Sequence, residues 1–175
     1  MNQTEFWQLI DATHQAAVGD AFSQETKLIE ELTQYSLDGI VDFERLLRQY
    51  ILAADDFGII AAQKIIQGWV SDDPYLYFRC WLISQGEQVY FEALRNPDSL
   101  AELDATQGDT DFEPLLYVAD EAFAIVTGLE EDESFPRNIA YEQGLDYDGP
   151  TETKGEDWTE EQLPTLLPKL WAKFN

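Results

Sequence analysis

Residues 71–86 read SDDPYLYFRCWLISQG, and this stretch decides the fold. Ser71 stands where a helix N-cap belongs, Asp72 and Asp73 complement the positive end of the helix dipole, and Pro74 falls early enough to need no amide partner. From Tyr75 to Ile83 every position is apolar or aromatic except Arg79. A helix that is hydrophobic all round belongs in the middle of a bundle. Gly86 supplies the stop. A buried, unpaired guanidinium is costly, so Arg79 must reach solvent along its stem or meet a carboxylate, and a carboxylate partner is expected.

The flanking segments carry the helices that would enclose it. Asn2 and Glu5 form a capping box ahead of Phe6, Leu9, Ile10, Thr13 and Ala17 at helical spacing, with an end at Gly19-Asp20. A second helix is expected from Ser23 to about Gln34 on the stripe Leu28, Ile29 and Leu32. Ser36 caps a third, in which Ile40, Phe43, Leu47, Tyr50, Ile51 and Ala54 recur at three- and four-residue steps. Asp55-Asp56 open a fourth over 57–67, stopped by Gly68. Glu87 to Arg95 reads as a sixth, broken by Asn96-Pro97, with a short helical turn over 99–103 and a polar loop over 105–110.

Asp111 is expected to cap one long helix through Thr127, closed by Gly128. Over 129–157 no period survives, and this acidic excursion is expected to be tacked down by Phe135, Ile139, Tyr141 and Leu145. A last helix from Thr165 buries Leu166, Leu170, Trp171 and Phe174. The expected architecture is all-α: a single domain over 1–175, an irregular helical bundle around a central apolar helix at about 72–85. A long irregular acidic segment precedes the C-terminal helix.

With 175 residues, 45% of them hydrophobic, the chain suffices for a core burying roughly 70% of its unfolded surface. Its charge is lopsided. There are 35 acidic and 10 basic residues, net −25, and residues 98–162 hold 20 acids against only Arg137 and Lys154, net −18. Such a surface repels phosphates, which excludes nucleic acid and anionic membranes as expected partners. One cysteine, Cys80, permits no internal disulfide and reads as a buried structural thiol in a reducing compartment. The N-terminus MNQTEFW lacks a signal-peptide pattern, and no apolar run approaches the roughly 20 residues a bilayer span needs. The expected location is cytoplasmic.

Chemistry is sparse. One cysteine and one histidine cannot build a zinc site. Asp146-x-Asp148-Gly149 with Asp157 is a poor echo of a calcium loop, its glycine at the fourth position instead of the sixth, and reads as a solvated acidic loop. No metal or cofactor is expected. His14 lies on the flank of the first helix with no partner nucleophile, and no GxSxG, P-loop or GxGxxG occurs. No catalytic residue is assigned. The least arbitrary candidate for ligand binding is the Asp72-Asp73 pair at the mouth of the central helix, with Trp69, Tyr77, Arg79 and Trp81. The structural alternative is helix capping plus a salt bridge to Arg79.

Five segments together resemble one bacterial family. They are FWQLI (6–10), SDDPYLYFRCWLISQG (71–86), ALRNPDSLAEL (93–103), LLYVADEAF (115–123) and GEDWTEEQLPTLLPKLWAKF (155–174). The family is the domain-of-unknown-function family 4240, whose members are small, acidic and mostly stand alone. Pro74-Tyr75 departs from the glycine-phenylalanine of the family, a change of capping more than of chemistry. The resemblance implies a one-domain helical protein of the bacterial cytoplasm and transfers no residue roles.

Charge asymmetry favours a non-enzymatic binding or regulatory protein that offers its acidic residues 98–162 to a basic protein partner, such as the cationic face of a nuclease or toxin. The alternative is a small-molecule-binding protein or enzyme with a cleft near the start of the 72–85 helix, which requires Arg79 to face a cavity instead of a carboxylate. A third reading takes the acidity as an adaptation to an ionic habitat, in which stability rises with salt.

Overall fold

The apolar stretch forms α5 (Asp72–Ser84), and in the computed structural model it is enclosed. Tyr75, Leu76, Phe78 and every residue from Arg79 to Ser84 are buried, and Tyr77 is half-buried. The structure describes residues 1–17, 20–104, 110–147, 149 and 152–175. The expected helix stop at Gly19, the polar loop over 105–109 and Asp148 of the acidic echo lie outside the described residues.

Around α5 pack α1 (Gln3–Ala17), α3 (Leu37–Ala53), α4 (Phe57–Gln67), α6 (Glu87–Arg95) and a 3-10 turn at Glu113–Leu116. α2 (Ala21–Leu32) lies against α1 and α7 (Val118–Thr127). α8 (Pro136–Glu142) packs on α3 and α7, and the chain ends in α9 (Leu163–Leu166) and α10 (Pro168–Phe174). A further 3-10 turn, Pro97–Glu102, joins α10 to α6. Among the described residues there is no strand, only an isolated bridge between Asp56 and Lys154. The architecture is all-α.

Local chemistry explains most boundaries. Asn2 and Glu5 form the reciprocal capping box, with amide–carboxamide and amide–carboxylate bonds of 3.0 and 2.7 Å. Ser36 caps α3 through the Gly39 amide, and Gly68 ends α4 in the left-handed conformation. Gly86 joins α5 to α6 at φ +99°, and a Cβ there would lie 2.4 Å from an Asp11 carboxylate oxygen that accepts from the Glu87 amide. Only glycine meets both conditions.

Four expectations are corrected. α2 starts at Ala21, two residues before Ser23, because Asp20 takes the cap by accepting from the Ser23 amide. The long helix from Asp111 is two pieces. A 3-10 turn carrying Pro114, which has no amide to donate, gives way at Tyr117 to α7. The 129–157 segment is not irregular throughout, since Phe135 is buried and Pro136 starts α8, while Tyr141 is 59% exposed instead of anchored in the core. The last helix breaks at Leu167, which leaves the helical region ahead of Pro168, and Leu166 is 50% exposed instead of buried.

α3 ends at the base of α5, and its final carbonyls meet donors from across the molecule. Tyr90 Oη donates to Tyr50 O at 2.7 Å, Arg79 Nη1 to Ile51 O at 3.2 Å, and Lys154 Nζ to Ala53 O at 3.0 Å. Tyr75 Oη donates to Ala54 O at 3.1 Å. A helix end buried without such partners would be costly. Two of the donors are cations, which also suit the negative end of the helix dipole.

Candidate functional site

The junction of α3, α4 and α5 is a built corner. The Asp56 amide donates to Tyr75 Oη at 3.0 Å, and the Asp56 carboxylate accepts from the Gly58 amide to start α4. The late acidic segment returns here. The Lys154 amide donates to Asp55 O, the Phe57 amide donates to Lys154 O, and Trp158 Nε1 donates to Phe57 O at 2.8 Å.

Beside this corner lies a cavity of about 270 Å³, lined by Asp55, Asp72, Asp73, Tyr75, Leu76, Arg79, Tyr147 and Gly149. Asp72, Leu76 and Arg79 fall on one helix face because they are four and three residues apart. Asp72 and Asp73 are exposed at the mouth, and among the described residues their carboxylates make no hydrogen bond or ion pair. Arg79 is 6% exposed.

Arg79 has no carboxylate within 4.0 Å among the described residues, which corrects the expected ion pair. Its Nε donates to Tyr75 O at 3.4 Å and its Nη1 to Ile51 O at 3.2 Å. The guanidinium lies 4.4 Å from the centre of the Tyr75 ring. Two carbonyl dipoles and a ring face keep a desolvated cation tolerable without neutralising it. Three of its five N–H donors remain beyond these bonds.

Of the sequence-level candidates, the structure brings together Asp72, Asp73 and Arg79. Trp69 follows the end of α4 at 54% exposure and does not line the cavity. Tyr77 points to another neighbourhood, where desolvation and then the Glu113 carboxylate push its phenol up to about 12. Trp81 is buried against Phe78, ring centres 5.2 Å apart, as core. Asp55, Tyr75, Leu76, Tyr147 and Gly149 were missed. From the sequence Asp55 reads only as the opening of α4, and the Tyr147 segment carries no period that would aim it anywhere.

A second groove, about 450 Å³, shares Tyr147 and also touches Arg48, Arg137, Asn138, Tyr141 and Asp146. Its arginines are committed elsewhere. Arg48 Nε meets Glu44 Oε1 at 2.6 Å with both side chains buried, and Arg137 Nε lies 3.4 Å from Asp120. Burial pushes both acids above the usual carboxylate range, against the pull of the arginines. A third groove runs between α1 and α2 past Thr13, Lys27, Glu30 and Tyr35. Among the described residues no group of three His, Cys, Asp or Glu side chains is placed to hold a metal ion, and no helix is long and apolar enough to cross a membrane.

The model of one protein family, described as a protein of unknown function (DUF4240), matches residues 1–124. That span includes α1 to α6, the start of α7, and every wall of the cavity except Tyr147 and Gly149. No curated protein and no solved structure matches this chain.

Proposed function

This chain belongs to the DUF4240 family, and we propose that it is a small-molecule-binding protein whose ligand occupies the cavity at the start of α5. The observation that carries this reading is Arg79: a nearly buried guanidinium that borders a cavity, with carbonyls in place of the expected carboxylate. A concave polar corner with a few convergent charged groups is where a small ligand gains orientation and affinity. The test is equilibrium dialysis of the protein against a mixture of cellular metabolites, with mass spectrometry of what it retains. The wild type is expected to concentrate at least one compound that the D72N/D73N double variant does not. An identical profile for the two proteins, or no enrichment by either, overturns the reading.

A second reading has its own support. Arg45, Arg48, Lys64, Arg95, Arg137 and Lys169 each meet a carboxylate of the chain. Arg79, Lys154 and Lys173 donate to its carbonyls. Of the ten bases this leaves Lys27, and most acids of 98–162 among the described residues are exposed. The charge left facing solvent is therefore overwhelmingly negative, which favours a basic protein partner. On this reading the immobilised protein retains basic host proteins at low salt and releases them at high salt. Retention of none at low salt removes it.

A further inference from the structure

We infer that the ligand of this cavity is a small dipolar molecule, with an ammonium group at Asp72 and Asp73 and a carboxylate on the free edge of Arg79. The inference rests on the cavity reading above and adds the charge pattern of what fills it. Both charges line it: Asp72 and Asp73 at the mouth, and deeper in the Arg79 guanidinium together with the buried carboxylate of Asp55, which forms no ion pair with it. The carboxylates of Asp72 and Asp73 are exposed at the mouth, with no partner among the described residues. The guanidinium is buried at the base, held from behind by Ile51 O and Tyr75 O with N–H donors to spare.

Spacing sets the size of the molecule. Because Arg79 reaches back to the Tyr75 carbonyl and ring, its charge sits at the level of Tyr75 and not at its own Cα. Tyr75 is three residues from Asp72, and because the Asp72 side chain also leans toward the N-terminus the charges lie at least about 4.5 Å apart along the helix axis. An ammonium and a carboxylate separated by a few methylenes span that gap, and a cavity of about 270 Å³ holds a molecule of that size.

The two charged ends also argue against the simpler ligands. A plain anion would pass two exposed carboxylates and lie beside Asp55, and a plain cation would leave the remaining N–H donors of Arg79 without an acceptor. A dipolar molecule satisfies both, and burial away from water strengthens the contact at Arg79.

Calorimetric titration with three matched probes tests this: 4-aminobutyrate, butylamine and butyrate. The expected result is that 4-aminobutyrate binds about tenfold or more tightly than either single-charge probe, the margin of one good charged contact. D72N/D73N is expected to bring it down to the level of butyrate, and Arg79→Met to the level of butylamine. Circular dichroism checks that both variants keep the helical fold, and since Asp72 and Asp73 are exposed, that double variant carries the test if Arg79→Met does not fold. Equal affinity for butylamine and 4-aminobutyrate overturns the dipolar inference, as does no binding of any probe. In either case dialysis enrichment that is lost in D72N/D73N leaves the cavity reading standing. Failure of both experiments removes the two together.

Discussion

Arg79 of α5 donates through Nη1 to the carbonyl of Ile51 in the last turn of α3, 3.2 Å away. The lone cation of the apolar helix therefore caps a neighbouring helix, which explains how it is tolerated with no carboxylate within 4.0 Å among the described residues. This contact has a stability consequence separate from any ligand. Arg79→Met deprives Ile51 O of its donor but also removes a desolvated charge. The expected cost is about 1–3 kcal/mol by urea denaturation, below the roughly 3–5 kcal/mol of a broken buried ion pair.

The Glu44–Arg48 pair on α3 is the opposite case. Both side chains are buried, Arg48 also donates to Leu145 O at 2.9 Å and lies over the Tyr147 ring, and Glu44 Oε2 has no hydrogen-bond partner among the described residues. Glu44→Leu alone is expected to cost about 3–5 kcal/mol, since it strands a buried guanidinium. Glu44→Leu with Arg48→Met is expected to cost less than Glu44→Leu alone. A denaturation double-mutant cycle reads the difference, and a strictly additive result would contradict the coupling.

Asp98 ties the C-terminus to the bundle. Its carboxylate accepts from the Lys169 and Leu170 amides at 3.1 and 2.9 Å, capping α10 from a turn about seventy residues away. Asp98→Ala is expected to destabilise by about 1–2 kcal/mol, in the range of a lost cap. Limited proteolysis should then cut before residue 168 sooner than elsewhere, while an unchanged digestion pattern would show that α10 is held by its apolar face.

Acidity should stabilise this protein. Burial pushes Glu44 and Asp120 above their ordinary values, and desolvation followed by the Glu121 charge does the same for Glu25. The folded chain then holds protons that the unfolded chain has released, so stability rises as pH falls toward the ordinary carboxylate range. Exposed Asp132 and Glu161 are shifted downward and act in the opposite sense, weakly because solvent screens them. The melting temperature is expected to increase from about pH 7.5 to about pH 5.5 as the self-repulsion of net −25 also eases. A fall over that interval would contradict the account.

The helices were legible where pattern and cap agreed. The unbroken apolar run of 75–83 identified the central helix, and the Asn2/Glu5 box and Gly68 marked ends because side-chain and backbone chemistry there is local. The break at Pro114–Tyr117 was hidden by an apolar period that continues across it. α8 was hidden because seven residues are too few to show a period. The surroundings of Arg79 were out of reach for a different reason: its partners are backbone carbonyls, which every residue has, so no residue type advertises them. Asp72, Asp73 and Arg79 were read together because they share a helix, whereas Asp55 and Tyr147 reach the same cavity through tertiary folding alone.

The account turns on occupancy of the cavity at Arg79, and the side-chain Nε–H resonance of that residue reports on it directly. Titrating ¹⁵N-labelled protein with 4-aminobutyrate should shift this resonance and the Tyr75 and Leu76 amides along one saturating curve, while Thr13 and Lys27 in the α1–α2 groove stay fixed. Shifts confined to that groove, or an Arg79 signal that does not move at any probe concentration, would contradict it.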